Sequence, residues 1–232
     1  RLEEVDCVNA NLLWSIYKVM IIKIFDEHFP YMIIDNYYDE EELRLIWEEL
    51  NFLSYPHKLK SSTIEGGATE NPEKPNELLE KNFHTFLDNL YEFREMSNIL
   101  NVSRKLFSDN CKIFRQHPHW FFQNITPNKD LTQVGYYENN DEFGQHSDNC
   151  DITALTWLYQ EPKKFMGGDL FLGSDKIKVE CINNRTLIFP SMLKHSVNTL
   201  KMEKQYQNKK QGRYVITQFC MTDMTNWYGR NV

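Results

Sequence analysis

No two cysteines of the chain lie close together. Cys7, Cys111, Cys150, Cys181 and Cys220 are odd in number, widely spaced and without a CxxC pair. That pattern excludes a disulfide framework and reads as free thiols in a reducing, cytoplasmic setting. Excess positive charge is missing as well. A net charge of −7 argues against a protein that coats nucleic acid, because phosphate contacts need a basic face, although it leaves room for a local basic groove. No apolar run is long enough to span a bilayer: Lys18 and Lys23 interrupt the stretch from Leu12 to Phe25, and no signal-peptide cleavage pattern goes with it. A membrane partner is therefore not expected. Internal repeats and low-complexity tracts are also absent. What is present is apolar material, 41% hydrophobic and 14% aromatic residues in a chain of 232. That suits one compact domain with a full-sized core.

The first hundred residues read mostly as helix. Asp39 with Glu42 three residues on forms a capping box, and Leu43, Ile46, Trp47 and Leu50 follow at helical spacing. The spacing of Leu79, Phe83, Phe86, Leu87 and Leu90 predicts a second helix over 76–92, and a third is expected over 98–107. Between the first two, the polar segment 54–76 carries Gly66-Gly67 and Pro56, Pro72 and Pro75, and reads as a long loop of the kind that serves as a lid or a disordered linker. From about 111 the texture changes to short strands. They are expected at 112–125, 131–138, 143–148, 152–159, 169–172, 176–181, 186–190, 195–200 and 212–222, with turn signals such as Asn139-Asn140 and Gly167-Gly168 between them. Short strands without intervening helices indicate a sandwich or barrel, the jelly roll among the options.

His146 and Asp148, in Phe143-Gly-Gln-His-Ser-Asp148, stand two residues apart, a spacing that puts both side chains on one face of a strand. His195, just after the apolar strand Leu187-Ile-Phe-Pro190, would supply a third ligand. Two imidazoles and one carboxylate make the facial triad of non-haem Fe(II) oxygenases and leave positions open for a bidentate 2-oxo acid and O₂. The same three ligands are compatible with a zinc hydrolase or with a non-catalytic, cupin-like metal- or sugar-binding jelly roll. His117 and His119 are also two apart, but Pro118 and the lack of a nearby carboxylate count against a second metal site.

The order and spacing of several segments resemble the prolyl 4-hydroxylase-like Fe(II)/2-oxoglutarate oxygenases. They are Val134-Gly-Tyr-Tyr137, Phe143 to Asp148, Gly167-Gly-Asp-Leu-Phe171, Thr186-Leu-Ile-Phe-Pro-Ser191 with His195, and Gly212-Arg-Tyr-Val-Ile-Thr217, with a weaker likeness at Ile33-Ile-Asp-Asn-Tyr37. The resemblance implies a mixed α and β fold, a double-stranded β-helix (jelly roll) core with supporting N-terminal helices. It implies one catalytic domain over 1–232, with helical support and a lid loop in 1–110 and the jelly roll in 111–232. It further implies Fe(II) on His146, Asp148 and His195, 2-oxoglutarate and O₂ as cosubstrates, and hydroxylation of a peptide, with a prolyl residue favoured. A free amino acid, another protein residue or a small metabolite remains open as substrate.

By the same resemblance, Tyr137 places its phenol against the distal carboxylate of 2-oxoglutarate, and Leu155, Trp157 and Val197 line the pocket around the carbon chain. That carboxylate needs a cation, and a guanidinium matches it with parallel donors. The family commonly has Lys or Arg about ten residues after the second histidine. Here that region is a polar loop with Lys201 and Lys204, and Arg213 follows eighteen residues after His195. If 195–200 and 212–222 form a hairpin, Thr199 lies opposite Arg213, which then shares the face of His195. Arg213 is the expected anchor, and the lysines read as a hydrated turn.

Overall fold

The computed structural model describes residues 19–55, 58–63, 69–108, 112–174 and 177–223. Its centre is an eight-stranded sheet in the order β1 (Ile21–Phe25), β2 (Tyr31–Asp35), β14 (Arg185–Pro190), β10 (Ile152–Leu158), β17 (Arg213–Met221), β8 (Lys129–Tyr137), β7 (Phe83–Phe86) and β3 (Lys60–Ser61). A five-stranded sheet has the order β13 (Ile177–Val179), β12 (Leu170–Leu172), β15 (His195–Val197), β9 (Glu142–His146) and β6 (Glu80–Lys81). The pairings in both are antiparallel.

Both faces of the large sheet are covered, which is why its middle strands are apolar at successive positions instead of alternating. In β2, Tyr31 and Ile33 belong to the core shared with the small sheet, whereas Met32 and Ile34 belong to the core under the helices. The same division separates Leu187 and Phe189 from Ile188, and Val215 from Tyr214 and Ile216. A period of two thus sorts one run of hydrophobics into two cores. The molecule is layered as helices, large sheet and small sheet.

On the helical side, α1 (Glu40–Leu53) begins as expected. The Asp39 side chain accepts from the Glu42 amide and the Glu42 carboxylate accepts from the Asp39 amide. Ile46, Leu50 and Leu53 are fully buried on its inner face. Glu49, on the same face, accepts from the Ser97 hydroxyl and the Ile99 amide, which docks α3 (Asn98–Ser103) against α1. The helix expected over 98–107 is therefore present, its last turn tightened into a 3-10 segment at Arg104–Phe107.

Two expected elements are different. The segment 76–92 is not a helix: it contains the end of β5 (Lys74–Leu78), then β6, β7 and only one helical turn, α2 (Leu87–Leu90). Pairing of β7 along β8, from Phe83↔Tyr136 to Phe86↔Gln133, supplies its backbone partners and overrides the helical spacing. The stretch 112–125 is not a strand. It holds a 3-10 turn at Phe114–Gln116 and α4 (Trp120–Asn124), capped by the His119 ring, which accepts from the Phe121 amide. The polar loop expected over 54–76 contains β3 and a hairpin of β4 (Glu70–Asn71) with β5, while 56–57 and 64–68 lie outside the described residues. The N-terminal part is therefore less helical than expected, because β1, β2, β3 and β7 extend the large sheet, β6 extends the small one, and β4 and β5 form a hairpin of their own. No helix among the described residues is long and apolar enough to cross a membrane.

The β4–β5 hairpin is tied to β9 through Glu142, which accepts from Lys74 at 2.9 Å, Lys81 at 3.1 Å and Thr199 at 2.6 Å. Partial burial works against ionisation of Glu142, but the hydrogen bonds from Thr199, Lys74 and Lys81 outweigh it and hold the carboxyl down at about 2. A depressed carboxyl contributes stability above its ordinary pKa and loses it as pH falls through the folded value. The hairpin should therefore loosen between pH 4.5 and about 2, and in Glu142→Gln already at neutral pH. Hydrogen exchange over 69–81 reads both; unchanged protection in the variant would refute the anchor. For α1, Asp39→Ala should cost about 1 kcal/mol in denaturant unfolding by loss of the cap.

Candidate active site

His146 ends β9 and His195 begins β15, and the two are direct cross-strand partners. Asp148 lies just past β9, not within it, so strand alternation alone does not aim it. Its amide donates to Ser191 O at 3.0 Å, and its carboxylate accepts from the Thr153 hydroxyl at 2.6 Å. That hydroxyl in turn lies 3.0 Å from Ser191 Oγ. The result brings all three expected ligands together: Nε2 of His146 is 3.6 Å and Nε2 of His195 3.5 Å from the Asp148 oxygens, and one donor atom of each residue falls within 4.8 Å of the others.

Both imidazoles are oriented by their far nitrogens. Nδ1 of His146 donates to Gly144 O and Nδ1 of His195 to Leu193 O, each at 2.9 Å, so that each Nε2 keeps its lone pair for the cluster. Burial, reinforced by His146, lowers the His195 pKa to about 4, so the ring is neutral at physiological pH. Phe143 stacks on His146 with ring centroids 3.7 Å apart, and Phe189 meets the His195 ring edge-on at 4.9 Å.

The cluster opens on a narrow pocket between the sheets, whose walls include Tyr137, Leu155, Val197 and Arg213. Arg213 reaches it by a route other than the expected hairpin. β15 belongs to the small sheet, whereas β17 crosses to the large sheet and pairs with β8 and β10. Arg213 therefore faces the triad's sheet from the opposite wall. Lys201, on β16 (Lys201–Met202), and Lys204, in the turn beyond it, are exposed, and Lys201 donates to Asn140 Oδ1 at 2.8 Å. Trp157 is not among the pocket-lining residues; it is fully buried in the inter-sheet core, paired with Val215 across β10 and β17.

The Arg213 guanidinium is 1% exposed, and its Nε and Nη1 have no hydrogen-bond partner. It lies over the Tyr137 ring, 4.3 Å from the centroid, and Tyr137 is its cross-strand partner. Burial pushes the Tyr137 phenol up to about 12, against the pull of Arg213 and Asn82 in the other direction. Gly167 and Gly168 turn the chain here with φ of +72° and +70°, and a Cβ on Gly168 would stand 3.0 Å from Arg213 Cδ. The expected turn is thus also a close approach, one that leaves the guanidinium its room.

Other pocket residues follow from alternation along strands already picked out. Val215, Thr217 and Phe219 share the face of Arg213, Gln133 shares that of Tyr137, and Thr153 that of Leu155. Asn82 and the carboxylate support from Thr153 and Ser191 carry no signal in the sequence, because they depend on which strands meet. His117 and His119 are not ligands: His117 is fully buried with Nε2 2.9 Å from Phe25 O, and His119 caps α4.

No protein-family model and no curated protein matches the sequence. Solved structures do. A prolyl-4-hydroxylase from Pseudomonas putida superposes with a TM-score of 0.53 at 13% identity, over 82% of this chain and 92% of that one. An oxidoreductase of the 2OG-Fe(II) oxygenase family from Burkholderia pseudomallei gives 0.53 at 11% identity, over 82% and 85%. The non-haem α-ketoglutarate-dependent epimerase SnoN of nogalamycin biosynthesis gives 0.51 at 11%, over 83% and 78%. The chain has the mixed α and β, largely antiparallel fold of these 2OG-Fe(II) oxygenase structures. It also carries a His-Asp-His cluster capable of holding a metal ion.

Changing His146, Asp148 or His195 to alanine removes one of three ligands with no spare among the described residues, and each variant should lose metal binding. The absorption bands of added Co(II), used in place of Fe(II) under anaerobic conditions, measure this. Undiminished bands in any one variant remove that residue from the site.

Proposed function

We propose that the protein is an Fe(II)- and 2-oxoglutarate-dependent dioxygenase that hydroxylates an unactivated C–H bond, and that its substrate is a prolyl residue in a peptide. One observation carries the class: a His-Asp-His cluster and a buried guanidinium with two unanswered N–H groups line the same pocket. A buried guanidinium is costly without an anion to meet it. The distal carboxylate of 2-oxoglutarate is an anion that such a guanidinium fits with parallel donors.

The donor set fits the metal, since two imidazoles and one carboxylate suit Fe(II) and leave coordination positions free. His146, Asp148 and His195 would hold it; when bound, iron with 2-oxoglutarate and O₂ supplies the oxidising power for hydroxylation, with succinate and CO₂ as co-products. The chain's own part is orientation and electrostatics. Gly144 O and Leu193 O fix the imidazole tautomers, and Thr153 holds one Asp148 oxygen. Arg213 would receive the distal carboxylate with parallel donors, and Tyr137, its phenol kept protonated, would add a hydrogen bond. Leu155 and Val197 would enclose the carbon chain, and Trp157 would back it from the core.

Burial gives the pocket a direction. Arg213 and Tyr137 are shut in at 1% and 3% exposure, while His146, Phe143, Gln133 and Phe219 are half-buried. Substrate therefore enters at the metal end, past Phe143 and Phe219, an apolar mouth suited to a pyrrolidine ring. The two facing antiparallel sheets are read as a double-stranded β-helix (jelly roll), with α1 and α3 as its support, all within one catalytic domain. The prolyl assignment rests on likeness to the Pseudomonas putida enzyme. The α-ketoglutarate-dependent epimerase SnoN supports a second reading, chemistry on a small metabolite on the same scaffold.

Truncating one member of a desolvated charge pair costs roughly 2–5 kcal/mol, so Arg213→Ala should weaken 2-oxoglutarate binding about thirty-fold or more. Lys204→Ala should change it little. Calorimetric titration of 2-oxoglutarate into the anaerobic metal-loaded protein decides, and a loss confined to the Lys204 variant would move the anchor. For the substrate, proline-containing peptides incubated with Fe(II), 2-oxoglutarate and O₂ should gain one oxygen by mass. Oxidation of a metabolite with every peptide unchanged would favour the second reading.

A further inference from the structure

The lysines beside the Arg213 end of the molecule have no part in the proposed reaction. Lys163, Lys164 and Lys201 line a surface pocket of about 550 Å³ that shares no residue with the metal pocket. Lys204 and Lys209 follow on the adjoining turn, both exposed. Several lysines elsewhere meet carboxylates, though not all do: Lys23 pairs with Asp35, Lys74 and Lys81 with Glu142, Lys105 with Glu42 and Lys178 with Asp169. Lys163, Lys164, Lys201, Lys204 and Lys209 have no ion-pair partner among the described residues.

Three of them use neutral groups instead. Lys163 donates to Cys181 O at 2.9 Å and lies 4.8 Å from the Phe165 ring centroid. Lys164 lies 4.9 Å from that of Tyr206, and Lys201 donates to an Asn140 side chain. Carbonyls and ring faces hold an ammonium group in place without cancelling its charge. A chain of net charge −7 thus keeps an uncompensated positive face, with Glu203 the one carboxylate lining its pocket.

We infer that this face docks an acidic polypeptide segment, in which carboxylates meet Lys163, Lys164 and Lys201 and apolar side chains cover Met166. The apolar part of the surface selects a polypeptide over a nucleic acid. Met166, on β11 (Phe165–Met166), is 74% exposed and directly opposite Lys201 on β16 (Lys201–Met202), so an apolar patch sits against the charge. The pocket also offers lysines and no arginine, and so lacks the planar fork that grips a phosphate bidentately. The site does not depend on the dioxygenase reading.

The test uses the full chain and a fluorescently labelled peptide alternating glutamate with leucine, followed by anisotropy at low and physiological salt. Binding is expected, weakening as salt rises. Lys163→Glu, Lys164→Glu and Lys201→Glu together should reduce affinity about tenfold or more. A charge-matched control, Lys60→Glu, Lys112→Glu and Lys194→Glu, should change it less than about twofold. The corresponding glutamine triple at 163, 164 and 201 gives the same ranking if the reversal disturbs folding. The proposal fails if the wild type does not bind the peptide, if both triples weaken binding equally, or if single-stranded DNA of equal charge binds more tightly than the peptide.

Discussion

A guanidinium shut away from water between two sheets is the constraint that organises this molecule. Arg213 opens the strand that lies between β8 and β10, so its side chain leaves the backbone at a point no local adjustment can shift. Its surroundings leave that group room and answer it only in part. Tyr137 offers a ring face, Gly168 withholds a Cβ, and two of the nitrogens stay unpaired. A neutral or smaller side chain would let the space collapse into ordinary core. Leaving buried N–H groups unpaired is costly, and the proposed anionic ligand is argued from that cost.

The two covered faces of the large sheet divide the labour. The helix-side core, from Ile46 and Leu50 on α1 to Ile188 and Ile216 on the strands, is apolar and serves stability. The small-sheet side buries Leu155, Val197 and Val215 beside His195, Tyr137 and Arg213, so hydrophobic packing holds the polar groups of the site in fixed positions. The same strands serve both, because alternate residues of one chain segment belong to different layers.

The most legible parts of the sequence were those whose signals are local and whose partners lie nearby in the chain. The α1 capping box, the strands from 131 onward and the turn at Gly167-Gly168 all fall into this group. His146, Asp148 and His195 were legible because two of them share a strand end and the third follows an apolar strand. Helical spacing misled over 76–92, since Phe83 and Phe86 lie on a strand whose partner, β8, is some fifty residues further on. The route to Arg213 was misread for a similar reason. Adjacent strands were assumed to pair, whereas the turn after Met202 carries the chain from one sheet to the other. Alternation within β17 was nonetheless read correctly, and it put the guanidinium inside whichever sheet held the strand.

The direct pairing of His146 with His195 gives the site a further property. Side chains in a strand alternate sides, so a slip of β9 against β15 by one residue would turn one imidazole outward. Three ligands can meet only when these two short strands are in a single register, and the irregularity between His195 and Val197 shows that the register is not enforced by a regular ladder. Any ion held there acts as a clasp. It would reward the native alignment of the thinner sheet over its shifted neighbours, so an ion held there would also edit the fold.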